Sequence, residues 1–297
     1  MTNLLSQRVA IVTGAGRGLG RAHALALAGN GARVVVNDLN AASTEQVCRE
    51  IAQLGGEALA STANVQDLGA VETMVEAALR HWNRIDILVS NAGILRDRTF
   101  AKLDLADFRL VLDVHLMGAV HCAKALWPHM KERGYGRIVL TTSSSGLYGN
   151  FGQSAYAAAK MALVGLMQTL ALEGERYGIH VNCIAPSAAT QMTHDLWSPE
   201  DLAALEPRRV SPAVVALASE AAPSKRVVLA GAGSFKLAHV TMTPGIYLPD
   251  ERSSAEEILA HWQRIEDRTG ERVPASGFEQ YQFEVEQARA GTSGQSR

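Results

Sequence analysis

Cysteine is scarce in this chain. Among 297 residues there are three cysteines, Cys48, Cys122 and Cys183. They are odd in number and far apart, so they match neither a disulfide framework nor a CxxC metal site. We therefore expect small buried apolar residues at these positions, and no metal centre.

An excess of charge of one sign is also missing. The formal net charge of −2 and the sequence pI near 6.5 give no electrostatic case for binding nucleic acid or an anionic membrane surface. No apolar stretch approaches the ~20 residues of a membrane span. A predicted strand begins close to the amino terminus and leaves no room for a signal peptide. We expect a soluble protein of a reducing compartment, the cytoplasm.

Short apolar runs alternate with longer amphipathic stretches from Arg8 to about residue 235. Hydrophobicity is continuous within the runs, which is typical of strands in a parallel sheet covered on both faces. Residues 21–29, 42–54, 68–82 and 155–177 have helical periodicity. This alternation predicts an α/β fold with a doubly wound parallel sheet. The runs are RVAIVTG, ARVVVND, IDILVSNAG, GRIVLTTSS, IHVNCIAP and KRVVLAG.

The composition changes near residue 240. We expect one domain over residues 1–239 and a partly helical C-terminal extension over 240–297. In the extension, a capping box at 254–257 precedes a helix, a second amphipathic stretch covers 278–288, and the end is predicted to be disordered. The first helix would place Ile258, Leu259, Trp262 and Ile265 on one face. The extension is too short for a core of its own, so we expect it to pack on the main domain or on a neighbouring subunit.

A glycine-rich loop follows the first strand in the string TGAGRGLG. Glycines there let the backbone approach a pyrophosphate at the start of the next helix, where unpaired N–H groups favour an anion. This predicts a dinucleotide site formed by Gly14, Arg17, Gly18, Leu19 and Gly20.

Asp38 closes the second predicted strand. An acidic side chain there can accept hydrogen bonds from the adenosine ribose and repel a 2′-phosphate, which favours NAD over NADP. Arg17 argues the other way, since it could reach a 2′-phosphate, and Asp38 could instead be a turn or N-cap residue. Two further segments are candidates: Asn91, Ala92 and Gly93 beside the cofactor, and Asn64 and Val65 at the adenine. Asn64 could equally be a turn residue.

Ser143, Tyr156 and Lys160 form the candidate catalytic group. Tyr156 and Lys160 are one helical turn apart in YAAAK and share a helix face. A free tyrosine has a pKa near ~10, and one ammonium at about 4 Å supplies enough stabilisation to make it a base near neutrality. Ser143 could hold a substrate oxygen between its hydroxyl and the tyrosine, giving a device that interconverts an alcohol and a carbonyl. The alternative is an ordinary solvated Tyr/Lys pair.

Together, TGAGRGLG, NAG, Ser143 and YAAAK resemble the short-chain dehydrogenase/reductase family over about residues 6–235. The resemblance implies a Rossmann-type subunit, a nicotinamide cofactor, hydride transfer and a homodimer or homotetramer. It also implies that Tyr156 is the acid/base and lies at the cofactor, that Lys160 lowers its pKa and binds the nicotinamide ribose, and that Ser143 orients the substrate oxygen.

The chain departs from the family pattern at two places. The usual catalytic asparagine is His115, either a proton relay or a packing residue. The usual Pro-Gly after the sixth strand is Pro186-Ser187, followed by Ala188; these three residues are expected at the cofactor, with Thr190 or Thr193 binding the nicotinamide amide.

Longer strings, including NAGILRDRTF and SGLYGNFGQSAYAAAK, resemble a branch of the family, the (3R)-hydroxyacyl-CoA dehydrogenase and 17β-hydroxysteroid dehydrogenase modules of peroxisomal multifunctional enzymes and their bacterial single-domain relatives. This resemblance implies a 3-hydroxyacyl-CoA substrate or, alternatively, an estradiol-like steroid. A nucleotide-responsive binding protein without turnover is a distant alternative. Three segments around the catalytic helix should determine substrate specificity. For each candidate residue in them, the alternative interpretation is ordinary packing on the core. Their candidate substrate residues are Leu95, Arg96, Leu147, Tyr148, Phe151, Met192, Leu196 and Trp197, and Arg98 is a second candidate for an acyl-CoA phosphate.

Overall fold

One eight-stranded sheet organises the part of the chain that this computed structural model describes, residues 3–189 and 198–294. Its strands are β1 (Val9–Thr13), β2 (Arg33–Asn37), β3 (Ala58–Ser61), β4 (Ile87–Ser90), β5 (Gly136–Thr141), β6 (Ile179–Ser187), β7 (Val227–Gly231) and β8 (Ser234–Ala238). The order across the sheet is β3-β2-β1-β4-β5-β6-β7-β8, with β1 to β7 parallel and β8 antiparallel. The strand order reverses between β1 and β4, where a doubly wound sheet opens a ligand crevice.

Helices connect the parallel strands. They are α1 (Gly18–Gly29), α2 (Ala41–Gln53), α3 (Leu68–Trp82), α4 (Leu105–Leu112), α5 (Gly118–Arg133), α6 (Ser144–Tyr148), α7 (Ser154–Gly174), α8 (Pro199–Ala204) and α9 (Ser211–Ala218). A π-helical turn, Asp113–Met117, joins α4 to α5, and 3₁₀ turns lie at Phe100–Lys102, Glu175–Tyr177 and Pro207–Arg209.

Side chains of the strands alternate between two apolar layers. In β1, Val9 and Ile11 belong to the layer that contains residues of α3, α5 and α7, whereas Ala10 and Val12 belong to the layer that contains residues of α1, α2 and α9. Strands covered on both faces explain the continuous apolar runs of the sequence. The predicted α/β doubly wound fold is confirmed.

Two strands were not predicted. The short β3 has only partly buried or exposed residues, and the antiparallel β8 is largely exposed, so neither has the continuous apolar run of a central strand. The predicted loop after β6 also needs correcting. Pro186 and Ser187 belong to β6 and pair with Ala230 and Gly231 of β7.

Two helical stretches, residues 105–133 and 154–177, are long and apolar enough by length and composition to cross a membrane. Length and composition alone are weak evidence for a membrane span, because the core helices of folded proteins pass the same test. Buried side chains of both stretches contribute to the apolar layer on one face of the sheet, as in core helices of a globular protein.

Residues 239–297 form a second unit. Its described helices are α10 (Ala255–Ala260), α11 (Trp262–Glu266) and α12 (Gly277–Gly294), with a 3₁₀ turn at Asp250–Arg252. Ser254 caps α10 by accepting a hydrogen bond from the Glu257 N–H, as the capping box indicates. The single helix expected to carry 258–265 is interrupted at His261. No hydrophobic side chain in the described part of this unit is buried.

Candidate active site

The candidate active site lies at the carboxyl ends of β1, β4 and β5. The chain leaves β1 into the glycine loop, leaves β4 at Asn91, and leaves β5 towards Ser143 at the start of α6. Tyr156 and Lys160 lie in the first turns of α7, which packs against β5 and β6. The fold therefore assembles the predicted cofactor and catalytic residues at one edge of the sheet.

The glycine loop leaves no room for side chains at two of its glycines. A Cβ on Gly20 would lie 2.1 Å from the Gly14 carbonyl oxygen, and Gly14, with φ of +64°, faces the Ala92 backbone. At the start of α1, Arg17 provides no side-chain cap and the first turn has no acidic residue. Backbone N–H groups thus remain for an anion, and this close approach fits the pyrophosphate of a dinucleotide.

Thr13 and Asn91 brace this loop. Thr13 Oγ1 accepts hydrogen bonds from the N–H groups of Asn91 (3.0 Å) and Ala92 (3.1 Å). The Asn91 side-chain amide donates to the carbonyls of Thr13 (3.1 Å) and Gly14 (3.2 Å). Asn91 therefore has a bracing function, and Thr13 is a site residue that sequence reasoning missed, although it stands directly before Gly14.

Asp38 is bonded to the glycine loop. Its Oδ2 accepts from the Gly16 N–H over 3.1 Å, and its Oδ1 accepts from the Asn40 N–H over 3.1 Å. The carboxylate is partly exposed where β2 ends, beside the loop. Both interpretations from the sequence are therefore compatible with its position, since it supports a turn and also faces the cofactor loop.

The Ser143 side chain acts on the Tyr156 hydroxyl and by itself lowers the pKa of the tyrosine. Burial has the larger effect and, with a contribution from the Asp97 charge, holds the pKa of Tyr156 above its ordinary value. The net direction is opposite to the one expected from the Tyr156–Lys160 spacing. Desolvation of the phenolate explains the difference.

Lys160 is almost completely buried and donates from Nζ to the Thr141 carbonyl oxygen over 2.6 Å. Its Nζ lies 5.4 Å from the centre of the Tyr156 ring. Burial lowers the pKa of Lys160 to about 7, so the amine carries only part of its charge at neutral pH. The sequence predicts a charged ammonium at Lys160 but does not reveal that burial lowers the pKa of this amine.

His115 lies in the π-helical turn and packs edge-on against Tyr156, with ring centroids 5.2 Å apart. Its Nε2 is 2.8 Å from the Ile94 carbonyl oxygen, and its Nδ1 is buried with no hydrogen-bond partner among the described residues. Burial lowers the pKa of His115 to about 3, so the imidazole is neutral. A Cβ on Gly93 would lie 2.2 Å from this ring. These contacts fit the interpretation of His115 as a packing residue.

The predicted adenine residues are placed differently from each other. Asn64 forms a turn, in which its Oδ1 accepts from the Gln66 N–H over 3.1 Å and its carbonyl accepts from the Asp67 N–H over 3.0 Å. Val65 is buried, and its carbonyl oxygen lies 2.9 Å from His121 Nδ1. These contacts match the alternative given for Asn64.

The predicted substrate residues differ in their surroundings. Tyr148 and Phe151 are exposed beside the site, whereas Leu147 packs against the apolar core. Arg96 is paired with Asp107, with 3.3 Å between Nε and Oδ1, and Leu95 is partly buried. Met192, Leu196 and Trp197 lie outside the described residues.

Two of the predicted cofactor residues, Leu19 and Ala188, pack on the second apolar layer. Thr190 and Thr193, the candidates for binding the nicotinamide amide, lie outside the described residues.

Comparison with known proteins places these features in a family. The short chain dehydrogenase family model matches residues 8–201. A short-chain type dehydrogenase/reductase of Mycobacterium tuberculosis is 43% identical over 92% of this chain and 98% of its own length. Peroxisomal multifunctional enzyme type 2 of Mus musculus is 42% identical over 88% of this chain, which spans 37% of that enzyme.

Two solved structures have the same fold. The full-length peroxisomal multifunctional enzyme type 2 of Drosophila melanogaster aligns with a TM-score of 0.81 and 36% identity, over 95% of this chain and 49% of that one. A 7α-hydroxysteroid dehydrogenase complexed with NADH and 7-oxo glycochenodeoxycholic acid aligns with a TM-score of 0.73 and 31% identity, over 78% of this chain and 96% of that one. The chain belongs to the short-chain dehydrogenase/reductase family, whose members are oxidoreductases that act on CH–OH groups with a nicotinamide cofactor.

Proposed function

We propose that this protein is an NAD-dependent dehydrogenase that oxidises the secondary alcohol of a 3-hydroxyacyl-CoA to a ketone. The observation that carries the proposal is the Ser143–Tyr156 hydroxyl pair, placed above the buried Lys160 and beside a loop that fits a pyrophosphate. A binding protein without turnover would not need this group of three.

Each of the three residues has a separate task. Ser143 orients the substrate hydroxyl, and Tyr156 takes its proton as the carbonyl forms. When bound, the nicotinamide ring accepts the hydride from the alcohol carbon. In its protonated form Lys160 has three N–H donors, of which Thr141 uses one, so two remain for the cofactor ribose and for stabilising the phenolate.

The preference for NAD rests on Asp38. Its carboxylate is fixed by two backbone N–H groups beside the glycine loop, where a 2′-phosphate would meet a negative charge. Arg17 is exposed in the same loop and is the residue through which NADP would gain affinity.

The acyl-CoA substrate is supported by identity to the multifunctional enzymes and by the surface beside the site. Phe151 is 92% exposed and Tyr148 is 69% exposed, so apolar area is available to an acyl chain. Arg98 has no ion pair among the described residues and could meet a phosphate, whereas Arg96 is already engaged by Asp107.

A hydroxysteroid is the second candidate. The solved 7α-hydroxysteroid dehydrogenase was complexed with a steroid and shares 31% identity with this chain. The same aromatic surface would suit a ring system, and such a substrate would leave Arg98 without a role.

We also propose self-association as a homodimer or homotetramer, and a cytoplasmic location. Met161 and Leu172 on α7 are 40% and 47% exposed, which leaves apolar surface on this core helix.

The test is the initial rate of reduced-nicotinamide formation with a medium-chain 3-hydroxyacyl-CoA or estradiol, each with NAD and with NADP. Turnover of the thioester with NAD supports the proposal. Turnover of estradiol alone makes the protein a hydroxysteroid dehydrogenase, and a preference for NADP overturns the assignment of Asp38. No turnover of either substrate with either cofactor contradicts the proposed substrate class.

A further inference from the structure

A chain of hydrogen bonds leads from the catalytic hydroxyls to the loop after β4. The Ser145 N–H donates to Ser143 Oγ over 3.2 Å, and the Ser145 hydroxyl donates to Gln153 Oε1 over 2.8 Å. Gln153 Nε2 donates to Asp97 Oδ2 over 2.7 Å. The exposed Asp97 carboxylate is thus linked through Gln153 and Ser145 to Ser143, the serine that lowers the pKa of Tyr156.

A backbone hydrogen bond also joins the loop 94–100 to the segment that precedes α7. The Arg98 N–H donates to the Gly152 carbonyl oxygen over 2.9 Å. Asn150 Nδ2 also donates to Gln153 Oε1 over 3.2 Å, so the amide oxygen of Gln153 has two donors and its orientation is fixed. The loop 94–100, which contains the predicted substrate residues Leu95 and Arg96, is therefore tied to the segment that enters α7.

Asp97 is also the charged group that acts on Tyr156 from this loop. Within the described ranges, the other titratable neighbours are His115, which is neutral because burial lowers its pKa to about 3, and Lys160 one turn along α7. Among the described residues, Asp97 is the carboxylate whose negative charge raises the pKa of Tyr156. A nearby negative charge opposes formation of the phenolate.

We propose that Asp97 is a positioning residue that holds the loop 94–100 against the catalytic serine through Gln153, and that its negative charge moves the lower pH limit of alcohol oxidation to higher pH. The proposal rests on the proposed function, in which Tyr156 must accept the substrate proton. Oxidation then increases with pH as Tyr156 ionises, and Asp97 moves that rise to higher pH.

The test compares pH profiles of oxidation for Asp97→Asn, Asp97→Glu and the control Glu132→Gln. Asparagine keeps an oxygen that accepts from Gln153 but removes the charge. We expect its acidic limb to move to lower pH, with severalfold faster oxidation on that limb and little change in KM. Asp97→Glu keeps the negative charge, so its acidic limb should lie at the same pH as that of the parent. Glu132 is exposed on the last turn of α5, at the opposite edge of the sheet, and its variant should not move the limb.

An unmoved limb in Asp97→Asn would overturn the proposal, whether or not the rate falls. The ionisation of Tyr156 gives a readout that needs no substrate: the difference in tyrosinate absorbance between each protein and its Tyr156→Phe counterpart. A shift of this titration to lower pH in Asp97→Asn, without turnover of any substrate, would support the role of Asp97 and reject the proposed function. An unshifted titration rejects the role of Asp97 itself.

Discussion

Lys160, to which the proposed function gives a catalytic role, also affects the stability of the fold. Its amine is buried next to Tyr156 and bonded to a backbone carbonyl, and burial lowers its pKa from 10.5 to about 7. The unfolded chain keeps this lysine protonated up to its ordinary pKa. Between about pH 7 and about pH 10.5 the unfolded state therefore binds more protons, and stability increases with pH over that window.

We predict that Lys160→Met removes this dependence. At neutral pH the variant should be more stable than the parent, because burying the lysine costs on the order of 4 kcal/mol there. The measurement is the urea midpoint at about pH 7 and about pH 9.5. Lys124 is exposed on α5, and Lys124→Met is the matched control, which should leave both urea midpoints at the parent values. A Lys160→Met variant that retains the parent's pH dependence would contradict the account, and the same variant should lose turnover.

At the scale of elements, we propose that the glycine loop and α1 act together in binding the cofactor. We predict that Gly20→Ala weakens NAD binding by about tenfold or more, because a Cβ at this position lies 2.1 Å from the Gly14 carbonyl oxygen and the loop must move. The measurement is the Kd for NAD from quenching of protein fluorescence.

Gly29→Ala is the control on the same helix. Gly29 is the last residue of α1, is exposed, and has open space where a Cβ would be built. It should bind NAD as the parent does, with stability unchanged or slightly increased. Equal NAD affinity in Gly20→Ala and the parent would show that this loop does not approach the cofactor.

The elements differ in how much the sequence reveals. Residues 68–82 were predicted as a helix and form α3, because Asp67 caps the N–H groups of Gly69 and Ala70 before an amphipathic stretch. The π-helical turn that places His115 was not predictable, since five residues carry no distinct period. The bond from Asp97 to Gln153 joins residues far apart in sequence, and neither residue type by itself indicates it.

At the scale of the whole molecule, buried histidines lower the stability of the folded state as the pH falls. His23 of α1 is fully buried, with Nδ1 2.9 Å from Ser211 Oγ of α9, and burial lowers its pKa from 6.5 to about 4. The unfolded state takes up this proton first as the pH falls. Stability is therefore lost from about pH 6.5 down to about pH 4, with His115 acting in the same direction.

We predict that the free energy of unfolding of His23→Gln falls by roughly 3 kcal/mol less than that of the parent between about pH 6.5 and about pH 4. The reason is that glutamine does not titrate in this range. Urea unfolding at about pH 4.5 and about pH 7.5 measures the difference. The exposed His81→Gln on α3 should behave as the parent. Identical acid sensitivity in His23→Gln and the parent would show that His23 does not contribute to it.

The measurement that tests the central claim most directly is turnover of a 3-hydroxyacyl-CoA by Tyr156→Phe beside Tyr177→Phe. Both variants remove one phenolic oxygen, at the start of α7 and just beyond its end. We predict that Tyr156→Phe loses about 10²–10⁴-fold in kcat while NAD affinity and Tm stay at the parent values, because only the proton acceptor is removed. Tyr177→Phe should retain the parent kcat. Parent-like kcat in Tyr156→Phe would contradict the assignment of Tyr156 as the residue that takes the substrate proton.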